Sequence, residues 1–155
     1  VVKGAFLDTS VLLGGLIDLG PGVRAAQDVM TAVAAGAVRG PLTAWPCCME
    51  FYAVATRLPE EYRLSPTDGV RLLEEEILGR FQVVDLPARA RLPLLRGAAQ
   101  ERVAGGRIYD AQIAEVAFRA GARLVVTENL RHFSGLAGRG LHVVDSRAFA
   151  SMLRA

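Results

Sequence analysis

Apolar residues fall in two rhythms along this chain. Short, mostly apolar runs stand at Val2 to Leu7, Phe81 to Val84, Arg123 to Val126 and Leu141 to Val144, with a weaker one near Val38 to Thr43. Their length and Val content suit buried strands. Between them, apolar residues recur at three and four spacing in Leu12 to Ile17, Val23 to Ala35, Pro46 to Arg57, Pro66 to Leu78, Pro87 to Ala104, Tyr109 to Ala120 and Ser146 to Leu153, which predicts helices. Pro46, Pro66 and Pro87 sit where first-turn prolines belong. Strands that alternate with helices pair in parallel through right-handed crossovers and carry helices on both faces. The expected fold is therefore α/β in three layers, with a central, mainly parallel twisted sheet of about five strands flanked by helices.

Composition narrows this picture only modestly. With 155 residues, 52% of them hydrophobic, residues 1–155 read as a single domain whose core needs no metal or disulfide to fold. Cys47 and Cys48 are adjacent, too close for an ordinary bridge and without metal-binding spacing, so they read as buried thiols of a reducing compartment. Lys3 and Asp8 interrupt the N-terminal apolar stretch, and no run of about 18 apolar residues occurs. The expectation is a cytoplasmic protein without a membrane span. Cations number 18 against 16 acids, a balance that neither demands nor excludes a nucleic-acid partner.

The informative acids are those that interrupt apolar structure. In "FLDTSVLL", Asp8 ends the first strand; it reads either as the cap of the next helix or as a carboxylate at the sheet edge where α/β folds place their ligands. Glu50 lies in "PCCMEFYAVATRL", a helix that is otherwise nearly all apolar. Asp110 sits in the first turn of a helix that follows Gly105-Gly106 and leads into a Val-rich strand ending in Thr127-Glu128-Asn129. If that strand and the first are parallel neighbours, Asp8 and the Thr127–Asn129 loop emerge together, Asp110 opens the helix between them, and Glu50 reaches in from a flanking helix. Carboxylates about 4 Å apart repel by about 4 kcal/mol each at an effective dielectric near 20. A cluster of this kind calls for a cation, and hard oxygen donors without a His or Cys set point to Mg²⁺ or Mn²⁺.

With these residues in order, the chain resembles a PIN domain, the nuclease fold of VapC-type toxins in bacterial and archaeal toxin–antitoxin pairs. "FLDTSVLL" resembles the opening strand with the first acid at Asp8, "MEFYAVATR" the helix with the second at Glu50, "RIYDAQIAEVA" the third at Asp110, and "VVTENLRHF" the closing strand and loop. Thr127, Asn129 and Phe133 follow the family pattern, whereas His132 stands where an Asp is common. The resemblance implies an endoribonuclease dependent on Mg²⁺ or Mn²⁺. Asp8, Glu50 and Asp110 would be metal ligands and, with Asn129, the catalytic set; Thr9, Thr127 and His132 would support them. With Asn129 neutral, three acids suffice for one metal, and a second would depend on substrate phosphate. Arg57, Arg107 and Arg131 lie near the motifs and read either as phosphate contacts or as solvated helix-end charges. Glu115, about 140° around the helix from Asp110, should point away from the site, and His142 reads as structural.

The implied partners are an RNA substrate, a small antitoxin protein and a second copy of the chain in a homodimer, with the helices Val23 to Ala35 and Met49 to Leu58 as candidate contact surfaces. A noncatalytic PIN scaffold that binds RNA or protein, and a housekeeping RNA-processing PIN nuclease, are the alternatives. Neither a Walker A sequence nor a Gly-rich dinucleotide fingerprint is present, which argues against a phosphoryl-transfer or nucleotide-binding α/β domain.

Overall fold

The computed structural model describes residues 2–155. Its centre is a five-stranded, wholly parallel sheet made of β2 (Ala5–Leu7), β4 (Leu42–Ala44), β5 (Gln82–Val84), β6 (Leu124–Val126) and β7 (His142–Val144), in the spatial order β5-β4-β2-β6-β7. All residues of β2, β4 and β6 are buried, as expected of strands covered on both faces. The helices α1 (Thr9–Leu16), α2 (Arg24–Ala34), α3 (Trp45–Ala55), α4 (Pro66–Leu72), α5 (Ala88–Gln100), α6 (Arg107–Arg119) and α7 (Ser146–Arg154) flank it. They form two packed groups, α1 with α2 and α7, and α6 with α5 and the segment 130–139. The α/β sheet expected from the alternation of patterns is present. No helix among the described residues is long and apolar enough to cross a membrane.

Two apolar runs break where a continuous strand was expected. Gly4 takes φ +72°, so Val2–Lys3 (β1) leaves the line of β2 and pairs in parallel with Val38–Arg39 (β3) as a separate two-stranded ribbon. Gly40, at φ +55°, and Pro41 likewise separate β3 from β4. Only glycine adopts such angles cheaply, and hydrophobic periodicity does not register them. Between β6 and β7, Leu130–Arg139 winds as 3₁₀ turns. There, Leu130, Phe133 and Leu136 recur at the three-residue spacing that eclipses in a 3₁₀ helix, and Phe133 and Leu136 are buried. The pattern expected to be one helix from Pro66 to Leu78 ends in a wider turn over Leu73–Leu78 with π-type bonding, and α5 stops at Gln100 ahead of Arg102 at φ +57°. His142 is exposed, on an edge strand.

The apolar stripe of α2 faces inward. Ala26, Val29, Met30 and Val33 are buried against the core, so this face is not free to meet a partner. The close approach of α1 to α2 depends on Gly15. A Cβ there would lie 2.7 Å from the Ala26 carbonyl oxygen and would overlap the Met30 side chain. In an open helix Gly→Ala stabilises by about 1 kcal/mol through propensity; here overpacking should reverse the sign. Gly15→Ala is expected to lower stability by about 1–3 kcal/mol, read from the midpoint of urea unfolding. A stabilised variant would show that α1 and α2 are packed less closely than described.

Candidate active site

The carboxyl edge of the sheet gathers polar groups from chain segments that are far apart in sequence. Parallel pairing sets Leu7 opposite Val126, so Asp8 and Thr127 are the first residues to leave adjacent strands. The Asp8 N–H donates to the Val126 carbonyl at 3.0 Å, and the Thr127 N–H to the Val144 carbonyl at 2.9 Å, which holds both residues to the strand ends. Asp8 stands at the N-cap position of α1, yet its side chain makes no capping hydrogen bond. Its Oδ2 instead accepts from the Thr127 hydroxyl at 2.8 Å and from the Ser10 hydroxyl at 3.1 Å.

Asp8 is only 4% exposed and Thr127 is fully buried. Burial pushes the Asp8 carboxyl above its ordinary range; the Thr127 and Ser10 hydroxyls oppose this, and the negative charge of Asp110 adds to it. The sequence reading missed Ser10, which receives the Glu128 N–H on Oγ at 3.0 Å while donating to Asp8. Its position two residues after an acid at a helix start carries the same signature as a cap, and that hides its role. Glu128 is exposed, and its Oε1 accepts from the Ser146 N–H at 2.9 Å, tying the loop to the start of α7.

Glu50 projects from α3 at the exposed rim, and Asp110 from the first turn of α6. Desolvation, then the charges of Asp8 and Asp110, raise the Glu50 carboxyl, while the Arg57 guanidinium counters them. The three acids are therefore near enough for their charges to act on one another. Among the described residues, no three His, Cys, Asp or Glu side chains stand close enough to grip one ion together. His132 sets Nδ1 3.2 Å from Asp110 Oδ2, both groups partly exposed.

Asn129 gives its N–H to Thr127 Oγ1 at 3.0 Å and opens the 3₁₀ segment, its side chain in solvent. The Thr9 hydroxyl is buried without a hydrogen-bond partner, beside the Cys47 thiol. Burial and the nearby Asp8 charge push that thiol up to about 12, so it stays protonated and offers no thiolate to a metal. Arg57, Arg107 and Arg131 are exposed. Arg107 and Arg131 line a groove of about 710 Å³ between α5, α6 and the 3₁₀ segment, into which Asp110 and His132 also open. Glu115, farther along that groove, is bound by Arg119 at 3.0 Å and Arg139 at 2.7 Å.

This donor set suits a hydrated divalent cation better than a stripped one. Every donor is a carboxylate or neutral oxygen, the acids repel one another, and they stand too far apart for a closed cage. Mg²⁺ keeps several of its waters and takes one or two carboxylates at a time, which matches an open acidic rim around the buried Asp8.

A sequence model of the PIN domain matches residues 5–131. The chain belongs to the PIN domain family. Among curated relatives of this PIN domain, Ribonuclease VapC27 of Mycobacterium tuberculosis is 38% identical over 95 residues, which cover 61% of this chain and 66% of the relative. Ribonuclease VapC40 of the same species is 32% identical over 124 residues, 80% of this chain and 85% of that one. In architecture the PIN domain is similar to a chain in the crystal structure of VapBC2 from Rickettsia felis bound to a DNA fragment from their promoter, with a TM-score of 0.60 at 14% identity over 91% of this chain and 97% of that one. The matched region contains Asp8, Glu50, Asp110, Thr127 and Asn129, and it ends one residue before His132.

The burial of Asp8 gives a stability prediction with a definite sign. A carboxyl whose folded pKa is raised holds its proton more tightly in the folded than in the unfolded chain. Stability is then greatest below the ordinary Asp value near ~3.9 and is lost as pH rises from there through the raised folded value. Asp8→Asn escapes that loss. Its melting temperature should exceed that of the wild type at pH 7, and the difference should shrink as the pH is taken below about 4. A variant equally destabilised at both pH values would show that the charged form of Asp8 carries no burial penalty.

Proposed function

We propose that the chain is a ribonuclease that hydrolyses RNA phosphodiester bonds at the acidic rim around Asp8 with Mg²⁺ or Mn²⁺, and that it is the toxin of a toxin–antitoxin pair. The observation that carries this reading is the buried Asp8 carboxyl, held by the Thr127 and Ser10 hydroxyls where β2 and β6 end, with Glu50 of α3 and Asp110 of α6 near enough for their charges to act with it. The names of the VapC27 and VapC40 relatives support the ribonuclease reading.

Asp8, Glu50 and Asp110 would hold the cation, directly or through its waters, with Asn129 beside them. When bound, a divalent cation supplies positive charge against the phosphate oxygens and acidifies water. The chain's own groups do the rest. Thr127 and Ser10 fix the orientation of the Asp8 carboxylate through two hydroxyl donors on one oxygen. Glu50, solvent-accessible and with its carboxyl raised above the ordinary Glu range by desolvation and by the neighbouring acids, accepts the proton of the attacking water. Arg107 and Arg131, exposed along the groove beside Asp110, draw the RNA backbone to the rim. Nothing in this scheme requires a nucleophilic side chain.

The same groove, lined by Leu94, Ala114, Phe133 and Leu136 along with its arginines, suits a segment of a small antitoxin lying next to the acids. The solved Rickettsia VapBC2 assembly, in which the similar chain occurs, supports a partner of that kind. A second copy of the chain is the other expected partner. The open spacing of the acids favours one competing reading, a scaffold that binds RNA without cutting it.

Cleavage of a mixed RNA pool decides between them. The wild type should cut with Mg²⁺ or Mn²⁺ and stop in chelator, while Asp8→Asn and Asp110→Asn should lose at least roughly 10- to 100-fold in rate. Adding Mg²⁺ should also raise the melting temperature of the wild type and have less effect on either variant. If both variants fold and cut as well as the wild type, the assignment fails; if nothing cuts at any metal concentration while RNA still binds, the scaffold reading takes its place. His132→Asp adds a fourth carboxylate beside Asp110 and should tighten Mn²⁺ binding, measured calorimetrically. An unchanged affinity would make His132 a bystander to the metal.

A further inference from the structure

We infer that the hollow between the first turns of α3 and α6 seats an unpaired base of single-stranded RNA, stacked on Trp45 and Tyr109 beside Glu50. This rests on the ribonuclease reading for its substrate and adds where a base next to the cut would lie. The hollow encloses about 530 Å³, within the usual range for small-molecule sites. Trp45 is the only tryptophan of the chain, and it is 46% exposed, with Met49 at 57% and Tyr109 at 65% beside the same hollow. Tryptophan is on average strongly buried, and three large apolar side chains left open around one cavity need an occupant.

The walls indicate its chemistry. Glu50, Asp85, Arg91 and Gln112 line the hollow along with the rings; the two carboxylates set it apart from the core of a protein contact, which is depleted of Asp and Glu. A nucleobase matches both kinds of wall: its faces stack on aromatic rings, and its edge offers donors and acceptors to an amide, a carboxylate and a guanidinium. In a duplex those faces are already covered by neighbouring pairs, so the occupant is single-stranded. The seat is also tied to the acids. Trp45 opens the helix that carries Glu50, and Tyr109 directly precedes Asp110. Trp45 is pinned between the end of β4 and Pro46, so little backbone freedom is lost when a base stacks on it.

The lone tryptophan makes the seat visible without cleavage. In the full chain carrying Asp110→Asn to slow cutting, an unstructured RNA oligomer should quench Trp45 emission saturably, and a blunt duplex of the same sequence should not. Tyr109→Ala on that background should weaken RNA binding about tenfold, and Tyr109→Phe should restore it; because the Tyr109 side chain is mostly in solvent, circular dichroism should show both variants folded. In otherwise wild-type protein, Tyr109→Ala should raise KM and leave kcat within about twofold. Emission that ignores bound RNA, an affinity unchanged by Tyr109→Ala, or emission that follows protein concentration alone would overturn the seat, the last assigning the hollow to contact between protein copies. The two readings fail separately. Cutting without a Trp45 response removes the seat and leaves the ribonuclease, whereas a Tyr109-dependent response without cutting removes the ribonuclease and leaves an RNA-binding seat.

Discussion

The parallel register of β2 against β6 is the constraint on which the candidate site depends. Because Leu7 lies opposite Val126, Asp8 and Thr127 reach the sheet edge side by side, and a single hydroxyl can orient a carboxylate that is otherwise almost sealed from water. A shift of one residue would turn the side chains of β6 to the other face and carry the Thr127 hydroxyl away from Asp8. The buried apolar strands are therefore more than a core. They are the ruler that sets two polar side chains at hydrogen-bond distance, and the hydrophobic energy that holds β2 and β6 in place also holds an unfavourable carboxylate where it is useful.

That arrangement divides the acids by environment. Asp8 is fixed, buried and hydrogen-bonded; Glu50 and Asp110 stand at the rim, partly or largely in water, where side chains can adjust to what binds. Under the proposed reading this combination would suit a hydrated divalent cation, which keeps several waters while taking one or two carboxylates. The groove is lined by Asp110 with Arg107 and Arg131, and the hollow by Glu50 with Trp45 and Tyr109, so each cavity includes one acid of the rim.

Much of this was legible in the sequence, and the parts that were not share a cause. Apolar rhythm locates an element but is blind to backbone sign, so the breaks at Gly4 and Gly40 went unseen although glycines stood there. The three-residue recurrence of Leu130, Phe133 and Leu136 was masked by a glycine-rich stretch that reads as loop. Asp8, Glu50 and Asp110 stood out because each interrupts apolar sequence, and the structure brings them to one rim. Ser10 could not stand out, since a serine at a helix start is already explained as a cap. Thr9, expected to support the acids, is buried next to Cys47. The contact between His132 and Asp110 joins residues whose spacing carries no local signal, and only the fold reveals it.

The hydrogen bond from Thr127 to Asp8 spans 119 residues of chain, and this has a consequence for the order in which the molecule comes into being. Asp8 is synthesised 119 residues before Thr127, and β7 comes later still. Topologies rich in contacts of such high sequence separation fold slowly. Until β6 has been made, Asp8 would therefore lack the hydroxyl that orients it, and the acidic rim could be completed only after the later strands are in place.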